Sequence, residues 1–315
     1  MSVPAEDEVL IRREGRAGHI TLNRPRALNA LTYDMVLGIW TALNSWARSS
    51  DVDLVILDGS GERALCAGGD VRSLYDSRIQ GSGFARKFWA DEYRLNALIS
   101  RYPKPFVAIQ DGIVMGGGIG LSSHARHRVV TERSTLAMPE TAIGLIPDVG
   151  GTWLLAHAPG ALGAYLGLTG TTMNGADAIH ARFADAFVAS QKLPELKQRL
   201  CDPSGGPVEA VIAEMKQAAG PSPIAAHTAE IDGIFSENSV AAILQKLAAA
   251  GTDWAQKTAA VMQPRSPKAM ALTFAAIENA RVMPALEHAL DVEYRLVTRL
   301  FEDGEFPEGV RAQIV

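Results

Sequence analysis

The sequence predicts an α/β fold followed by a helical C-terminal part. Short β-rich runs alternate with segments of helical periodicity, and beyond about Ser190 the chain becomes Ala-rich and helical with Pro and Gly breaks. Such alternation indicates parallel strands joined by crossover helices, with ligand loops at the strand ends. Of the 315 residues, 47% are hydrophobic, which suffices for a sizeable core. We expect a core over residues 1–190 and a helical region over residues 191–315.

The first part of the chain predicts a hairpin, a helix and a buried strand. Two β-rich runs, 9–13 and 19–22, are separated by glycine turn material. Apolar residues then recur every three to four positions over 33–48, and Thr32 can cap that helix. The short apolar run 54–57 is typical of a buried strand. A Gly-rich loop, GSGERALCAGGD, follows it.

The alternation continues through the middle of the chain. The patterns predict a helix at 83–101, a strand at 105–110, a tightly packed helix at 116–123 entered through MGGG, and strands at 127–131 and 135–138. A stretch with two carboxylates, AMPETAIGLIPDVGG, comes directly after the last of these strands.

Charge and composition exclude several classes of partner. The formal net charge is −5, so no overall positive field attracts nucleic acid or an anionic membrane. The N-terminal residues lack a basic start followed by an apolar run, and no apolar stretch approaches the roughly 20 residues that span a bilayer. Neither the two cysteines, Cys66 and Cys201, nor the histidines show metal or redox spacing. We expect a cytoplasmic protein without a metal site.

Two glycine loops are candidate ligand sites. Each of CAGGD (66–70) and MGGG (115–118) stands before a predicted helix, where glycine permits close approach of a ligand and N–H groups are unpaired. Neither loop matches the phosphate-loop or dinucleotide fingerprints. Two opposed N–H groups can form an oxyanion hole, and we assign this role to Gly69 and Gly117. The alternative is that these glycines only allow tight packing and sharp turns.

Glu140 and Asp148 raise a second question, because charged groups are costly to bury without partners. Each carboxylate can simply cap a helix, and Asp148 precedes the apolar run VGGTWLLAHA. The residues alone favour that interpretation for both carboxylates.

Four blocks of the chain resemble a known family. ITLNRPRALNAL, AGGD, KPFVAIQDGIVMGGGIGLS and MPETAIGLIPDVGGT are similar to the signature blocks of the crotonase, or enoyl-CoA hydratase/isomerase, superfamily. The resemblance covers residues 8–190, and a late block at 286–312 extends it. It implies a spiral of repeated ββα units with a helical C-terminal region. It also implies an acyl-CoA ligand, in which CoA belongs to the substrate and no separate cofactor is needed, and a possible homo-oligomer.

The resemblance is strongest to a branch that hydrolyses 3-hydroxyisobutyryl-CoA in valine breakdown. It implies substrate-site residues at Glu92, Gly117, Glu140 and Asp148, and an oxyanion hole from the amides of Gly69 and Gly117. It implies a CoA site lined by Arg26, Ala27, Leu28, Ala30, Ala67, Gly68, Gly69, Asp70 and Val71.

One position argues against the family's other reactions. Hydratases of the superfamily place a catalytic Glu where this chain has Gly120, and its dienoyl isomerases also use an acid there. Hydration uses two carboxylates to handle water and the substrate proton. We therefore expect hydrolysis of a short 3-hydroxyacyl-CoA thioester. An enoyl-CoA hydratase or isomerase and a non-catalytic binding protein with the same fold are the alternatives.

Three carboxylates carry the expected hydrolysis. Glu140 acts either as a nucleophile, through a transient acyl anhydride, or as a base on water. Asp148 hydrogen-bonds the substrate's 3-hydroxyl or positions the water, and Glu92 contributes polar contacts around the acyl group. Crowding them in a partly apolar pocket should raise at least one pKa and leave a proton for the departing thiolate.

Overall fold

Two sheets contain all the strands in the part of the chain that the structure, a computed structural model, describes, residues 7–313. The larger sheet has the order β1-β2-β3-β5-β7-β9, and the smaller has the order β4-β6-β8. Only β1 and β2 pair antiparallel; all other neighbours are parallel. The strands are β1 (Val9–Glu14), β2 (Ala17–Leu22), β3 (Leu54–Gly59), β4 (Ala64–Cys66), β5 (Phe106–Gln110), β6 (Ile113–Met115), β7 (His127–Val130), β8 (Thr135–Ala137) and β9 (Ala186–Phe187).

From β3 onward, successive strands alternate between the two sheets. β3, β5 and β7 lie in the larger sheet, and each is followed within a few residues by a strand of the smaller sheet, β4, β6 or β8. A helical segment follows each pair and leads to the next. This arrangement confirms the predicted α/β class and the spiral of repeated ββα units.

Helices connect the units and supply most of the remaining regular structure of the described chain. They are α1 (Tyr33–Arg48), α2 (Val71–Ile79), α3 (Phe84–Ser100), α4 (Gly117–Ser122), α5 (Gly151–Ala156), α6 (Leu162–Thr169), α7 (Gly175–His180), α8 (Leu193–Cys201), α9 (Val208–Met215), α10 (Thr228–Phe235), α11 (Val240–Ala250), α12 (Asp253–Met262), α13 (Pro267–Ala280), α14 (Leu286–Glu302) and α15 (Glu305–Gln313). None of these helices is long and apolar enough to cross a bilayer.

The helix α1 shows how local signals set an element. Thr32 accepts a 3.3 Å hydrogen bond from the Met35 amide and so caps the helix where the sequence predicts its start. Met35, Ile39 and Leu43 recur at helical spacing and are buried in the core.

The glycine-rich segment after β3 differs from its prediction as a plain loop. It contains β4, and a second unpredicted strand, β6, precedes MGGG. Three residues are too few for a periodic pattern, so these strands are recognisable only by their pairing with each other and with β8.

Helices from both halves of the chain share one hydrophobic core. Trp89 of α3 packs edge-on against Phe301 of α14 and Phe306 of α15, with ring centroids 5.6 and 6.0 Å away. All elements beyond residue 190 in the described chain are helices. The division into domains at that residue stays a prediction.

Candidate active site

Three segments of the candidate site leave the same edge of the smaller sheet. Gly69 follows β4, Gly117 follows β6 and Glu140 follows β8. These three strands are parallel neighbours, so their carboxyl ends lie side by side and their loops converge. The sequence alone left open whether the two glycine loops meet.

Contacts around the glycines show how close the segments come. A Cβ atom built on Gly117 would lie 3.3 Å from the Gly69 amide nitrogen and 2.7 Å from Oε1 of Glu92. A Cβ on Gly116 would lie 3.2 Å from Oε1 of Glu140. Glycine is therefore needed at Gly117 for space, because any side chain there would press on the carboxylate.

The two backbone amides proposed for the oxyanion hole donate no hydrogen bond within the described chain. Gly117 is the first residue of α4, where an N–H has no partner within the helix. Neither it nor the Gly69 amide donates a hydrogen bond to any residue from 7 to 313. Both residues line one cavity. The two N–H groups are thus available to an oxygen placed between the loops.

The cavity is small and mostly apolar, with carboxylates on one side. Its volume is about 230 Å³, which suits a short acyl group rather than a long chain. Side chains from α2, α3 and α15 form much of the wall. The lining residues are Ala67, Gly68, Gly69, Val71, Leu74, Phe88, Trp89, Glu92, Met115, Gly116, Gly117, Pro139, Glu140, Ala142, Ile143, Leu145, Asp148, Val149 and Phe306.

The three carboxylates are buried, and the charge of Asp148 raises the proton affinity of the other two. Glu92, Glu140 and Asp148 are 2%, 5% and 6% exposed. Burial raises the pKa of Glu92 and of Glu140 well above the ordinary value, and the charge of Asp148 raises both further. Oε1 of Glu92 and Oε2 of Glu140 have no hydrogen-bond partner in the described chain. These oxygens are placed to bind a ligand.

A hydrogen bond partly offsets the effect of burial on Asp148. Burial raises its pKa to about 6, while the Tyr93 hydroxyl opposes the rise by donating a 2.6 Å hydrogen bond to Oδ2. The bond favours the charged form of this carboxyl.

Asp148 does not cap the helix that follows it. α5 begins at Gly151, and the residue at its N-cap position is Gly150, which has no side chain to offer. Glu293 of α14 takes over this role: its Oε2 accepts from the Gly150 amide at 2.7 Å and its Oε1 from the Thr152 amide at 2.9 Å. The capping interpretation is therefore wrong for Asp148, whose carboxylate instead lines the cavity.

The side chain of Glu140 does not cap a helix either, whereas that of Asp70 does. Glu140 opens a 3-10 turn, Glu140–Ile143, but its side chain makes no cap hydrogen bond and lines the cavity. Asp70 is a cap, since it accepts a 3.3 Å hydrogen bond from the Ser73 amide at the start of α2.

The segment after Asp148 is strained. Val149 has φ +54°, a left-handed conformation that a β-branched residue rarely adopts and that costs about 1–3 kcal/mol. His124 donates from Nε2 to the Val149 carbonyl at 2.8 Å, and burial lowers the pKa of this histidine to about 4, so it is neutral. Strain of this kind persists where surrounding contacts enforce it.

The expected CoA site consists of two segments, residues 26–30 and 67–71, and backbone hydrogen bonds connect this part of the chain. The Ala67 amide donates to the Leu28 carbonyl at 3.0 Å, and the Leu31 amide to the Gly68 carbonyl at 2.8 Å. Ala67, Gly68, Gly69 and Val71 line the cavity, whereas the other expected CoA residues, Arg26, Ala27, Leu28, Ala30 and Asp70, lie outside its lining. Contact of CoA with this surface stays a prediction.

Gly120 leaves no room for an acid. A Cβ atom there would lie 2.7 Å from Cβ of Val149 and 2.8 Å from Nδ2 of Asn96. The position that carries a carboxylate in hydratases is filled here by neighbouring side chains.

Sequence reasoning missed three residues that support the site. Tyr93 had no distinguishing pattern, and His124 was interpreted as an ordinary residue because it lacks metal spacing. Glu293 lies in the late block LEHALDVEYRL, which carried part of the family resemblance but gave no indication of its partners. All three act over long sequence separations.

Known proteins with similar sequences identify the family of this chain. The sequence matches the family described as enoyl-CoA hydratase/isomerase over residues 17–315. A protein of Danio rerio named 3-hydroxyisobutyryl-CoA hydrolase, mitochondrial, is 41% identical over 323 residues, which cover 100% of this chain and 84% of that protein.

Two solved structures are also similar over nearly the whole chain. A carnitinyl-CoA dehydratase from Mycobacterium thermoresistibile is 44% identical with a TM-score of 0.95, covering 98% of this chain and 90% of that one. An enoyl-CoA hydratase from Rhodobacter sphaeroides 2.4.1 is 43% identical with a TM-score of 0.92, covering 98% and 89%. These three similar proteins are thus named as a hydrolase, a dehydratase and a hydratase.

Proposed function

The chain belongs to the enoyl-CoA hydratase/isomerase family, and from this premise we propose that it hydrolyses 3-hydroxyisobutyryl-CoA to 3-hydroxyisobutyrate and CoA. It is an acyl-CoA thioester hydrolase. The curated relative at 41% identity carries this activity in its name, and the match extends over the full chain.

One observation carries the proposal. The Gly69 and Gly117 amides are unused by the fold and line a small cavity together with Glu140. A thioester carbonyl between the two amides would place its oxygen against both donors and its carbon beside a carboxylate. Donors aimed at a developing oxyanion are the main requirement of acyl transfer, and removing one typically costs about 10²–10³-fold in rate.

The reaction proceeds by addition and collapse. An oxygen nucleophile attacks the thioester carbon, and the carbonyl oxygen becomes an oxyanion held by the Gly69 and Gly117 amides. Collapse of the tetrahedral intermediate breaks the C–S bond, and the leaving thiolate takes a proton to become CoA thiol. Water supplies the oxygen retained in the acid product, so no further cofactor is required.

Glu140 supplies the nucleophile by one of two routes. In the first its carboxylate attacks and forms an acyl anhydride, which water then hydrolyses. In the second it removes a proton from the attacking water. Label found in the Glu140 side chain after turnover in ¹⁸O-water establishes the first route, because water can leave label there only by attacking the Glu140 carbonyl of the anhydride. Attack at the substrate carbonyl labels the acid product in both routes.

Asp148 and Glu92 bind the acyl end and manage protons. The ionised Asp148 accepts a hydrogen bond from the 3-hydroxyl or from the attacking water. Glu92 carries a proton when Asp148 is charged, because burial and that charge raise its pKa, so it can donate to the acyl group's polar atoms. These roles extend the assignments made from the family resemblance.

Hydration of an enoyl-CoA is the second candidate function. The two similar solved structures favour it, because one is named a carnitinyl-CoA dehydratase and the other an enoyl-CoA hydratase. The crowding around Gly120 counts against it, because the second acid used in hydration has no space at that position.

Two assays on the wild-type chain decide between these functions. The first follows thiol release from 3-hydroxyisobutyryl-CoA, and the second follows loss of the enoyl absorbance of crotonyl-CoA. We expect thiol release and an unchanged enoyl signal. Loss of the enoyl signal without thiol release would reject the hydrolase and establish the second candidate; no reaction in either assay would favour a non-catalytic binding protein.

The setting of the activity is also proposed. We place the protein in the cytoplasm, because the two free cysteines suit a reducing compartment, although the relative's name says mitochondrial. A place in valine breakdown follows from the substrate, and the family resemblance makes a homo-oligomer possible. Cell fractionation and sedimentation of the purified chain test the location and the assembly.

A further inference from the structure

Glu293 is a fully buried carboxylate whose hydrogen bonds all go to one short segment. It is 0% exposed on α14 and accepts from the amides of Gly150 and Thr152 and from the Thr152 hydroxyl, the last at 2.5 Å. These donors stand two and four residues after Asp148. Glu293 reaches them across more than 140 positions of sequence, so the tertiary fold, not local structure, creates the contact.

The hydrogen bonds of Glu293 to the start of α5 affect the role of the Asp148 side chain. The unpaired amides at the start of α5 need an acceptor, and a nearby Asp is a common one. Glu293 satisfies these amides, so the Asp148 carboxylate is not drawn toward them. Asp148 lines the cavity instead, and its carboxylate accepts a hydrogen bond from the Tyr93 hydroxyl.

The neighbouring residue on α14 supports the same aspartate from the other side. The ring of Tyr294 packs edge-on against Tyr93, with centroids 6.3 Å apart, and Tyr93 is the hydroxyl donor to Asp148. Two adjacent residues of one C-terminal helix therefore hold the main chain after Asp148 and the hydrogen-bond partner of its side chain.

We propose that Glu293 is a positioning residue, which acts on the reaction mainly through Asp148 by holding residues 149–152 in the strained conformation that directs the Asp148 carboxylate into the cavity. The inference rests on the proposed function in that Asp148 is taken to serve turnover. Val149, with its left-handed φ, is the strained link between the two residues.

The test is a double-mutant cycle between Glu293→Gln and Asp148→Asn, with thiol release from 3-hydroxyisobutyryl-CoA as readout. The glutamine keeps one acceptor oxygen, but its NH₂ group cannot accept from a backbone amide. We expect Glu293→Gln to lower kcat by about 10- to 100-fold with a smaller change in KM. On the Asp148→Asn background the same substitution should cost about twofold or less, because its main route of action is already lost.

Asp177→Asn is the matched control. Asp177 is also buried, at 3% exposed, and accepts from two backbone amides, those of Asn174 and Ile224, and from the Ser222 hydroxyl. It lines a different cavity. We expect Asp177→Asn to lower the melting temperature comparably to Glu293→Gln while kcat changes by about twofold or less.

Three outcomes overturn the inference: a normal kcat in Glu293→Gln, the same proportional loss on both backgrounds, or an equal kcat loss in Asp177→Asn at equal loss of melting temperature. If Glu293→Gln does not fold, Thr152→Val removes only the hydroxyl donor, and Thr152→Ser should restore activity; a fully active Thr152→Val then overturns the inference. Failure of the proposed function is a separate result, since the wild type itself would release no thiol.

Discussion

Tyr93 Oη donates a 2.6 Å hydrogen bond to Oδ2 of Asp148, and both residues are buried. The hydroxyl favours the charged carboxylate and so opposes the effect of burial, which raises the pKa of Asp148 to about 6. This hydrogen bond links the protonation of Asp148 to a residue of α3.

Removing that hydroxyl should shift the pH dependence of hydrolysis. In Tyr93→Phe the pKa of Asp148 rises above about 6, because the bond favours the charged form. Asp148 is then protonated over a wider range, so kcat/KM should fall more near pH 6 than at about pH 8. Full pH profiles of kcat/KM for both proteins measure the shift.

Tyr102→Phe is the control for this prediction. Its hydroxyl is also buried but donates to the Leu43 carbonyl, and Tyr102 is not part of the cavity lining. An unshifted acidic limb in Tyr93→Phe, or an equal shift in Tyr102→Phe, would contradict the role given to the Tyr93 bond.

Glu140→Gln should abolish turnover but not binding. The substitution keeps the shape of the side chain while removing the nucleophile or base, and loss of such a group costs about 10²–10⁴-fold in kcat. Because the Gly69 and Gly117 amides remain, 3-hydroxyisobutyryl-CoA should still bind, as calorimetry can measure. Glu132→Gln, an exposed carboxylate on a surface contact with Ser190, is the control and should be fully active. Normal turnover by Glu140→Gln would remove this residue from the chemistry.

Gly120→Glu should not convert the chain into a hydratase. The new side chain would meet Val149 and Asn96 at less than contact distance, so it should lower stability by about 1–3 kcal/mol and leave crotonyl-CoA unreacted. Thermal unfolding and the enoyl absorbance are the measurements.

Gly233→Ala provides the contrast on the same assays. Nothing lies within 4 Å of a Cβ at Gly233 in the interior of α10, so alanine there should add about 0.5–1 kcal/mol to stability. A stable Gly120→Glu variant that hydrates crotonyl-CoA would show that this position alone separates the two reactions.

Glu92→Gln should stabilise the protein increasingly as pH rises. The folded protein raises the pKa of Glu92 well above 4.5, so the folded state binds more protons than the unfolded state above that pH. The wild type therefore loses stability as pH rises from about 4.5, and the glutamine variant does not incur that loss at this residue.

Melting temperatures of wild type and Glu92→Gln from about pH 5 to pH 8 test this sign. The difference should be small at the acidic end and grow toward neutral pH in favour of the variant. Glu308→Gln, at an exposed glutamate with a lowered pKa, should show no such growing advantage. A constant difference across pH would mean that Glu92 is not protonated in the folded state.

Much of the fold could be predicted from local signals. The α1 bounds follow from the Thr32 cap and the apolar repeat, and most longer strands fall where β-rich runs predict them. The short strands β4 and β6 could not be predicted, because a three-residue strand is stabilised by its neighbours rather than by its own pattern. Without β4 and β6 the smaller sheet could not be predicted, and this sheet brings Gly69, Gly117 and Glu140 together.

The sequence by itself determined the chemical groups of this protein: two glycine turns with unpaired amides, three acids at Glu92, Glu140 and Asp148, and no acid at Gly120. Only the tertiary structure decided how those groups are used. Parallel pairing of β4, β6 and β8 brings the turns together, and Glu293 caps α5 so that Asp148 lines the cavity. The physical reason is the sequence separation over which each effect acts. Helix capping and periodicity involve residues a few positions apart. Strand pairing, burial and pKa shifts depend on atoms that only folding brings into contact.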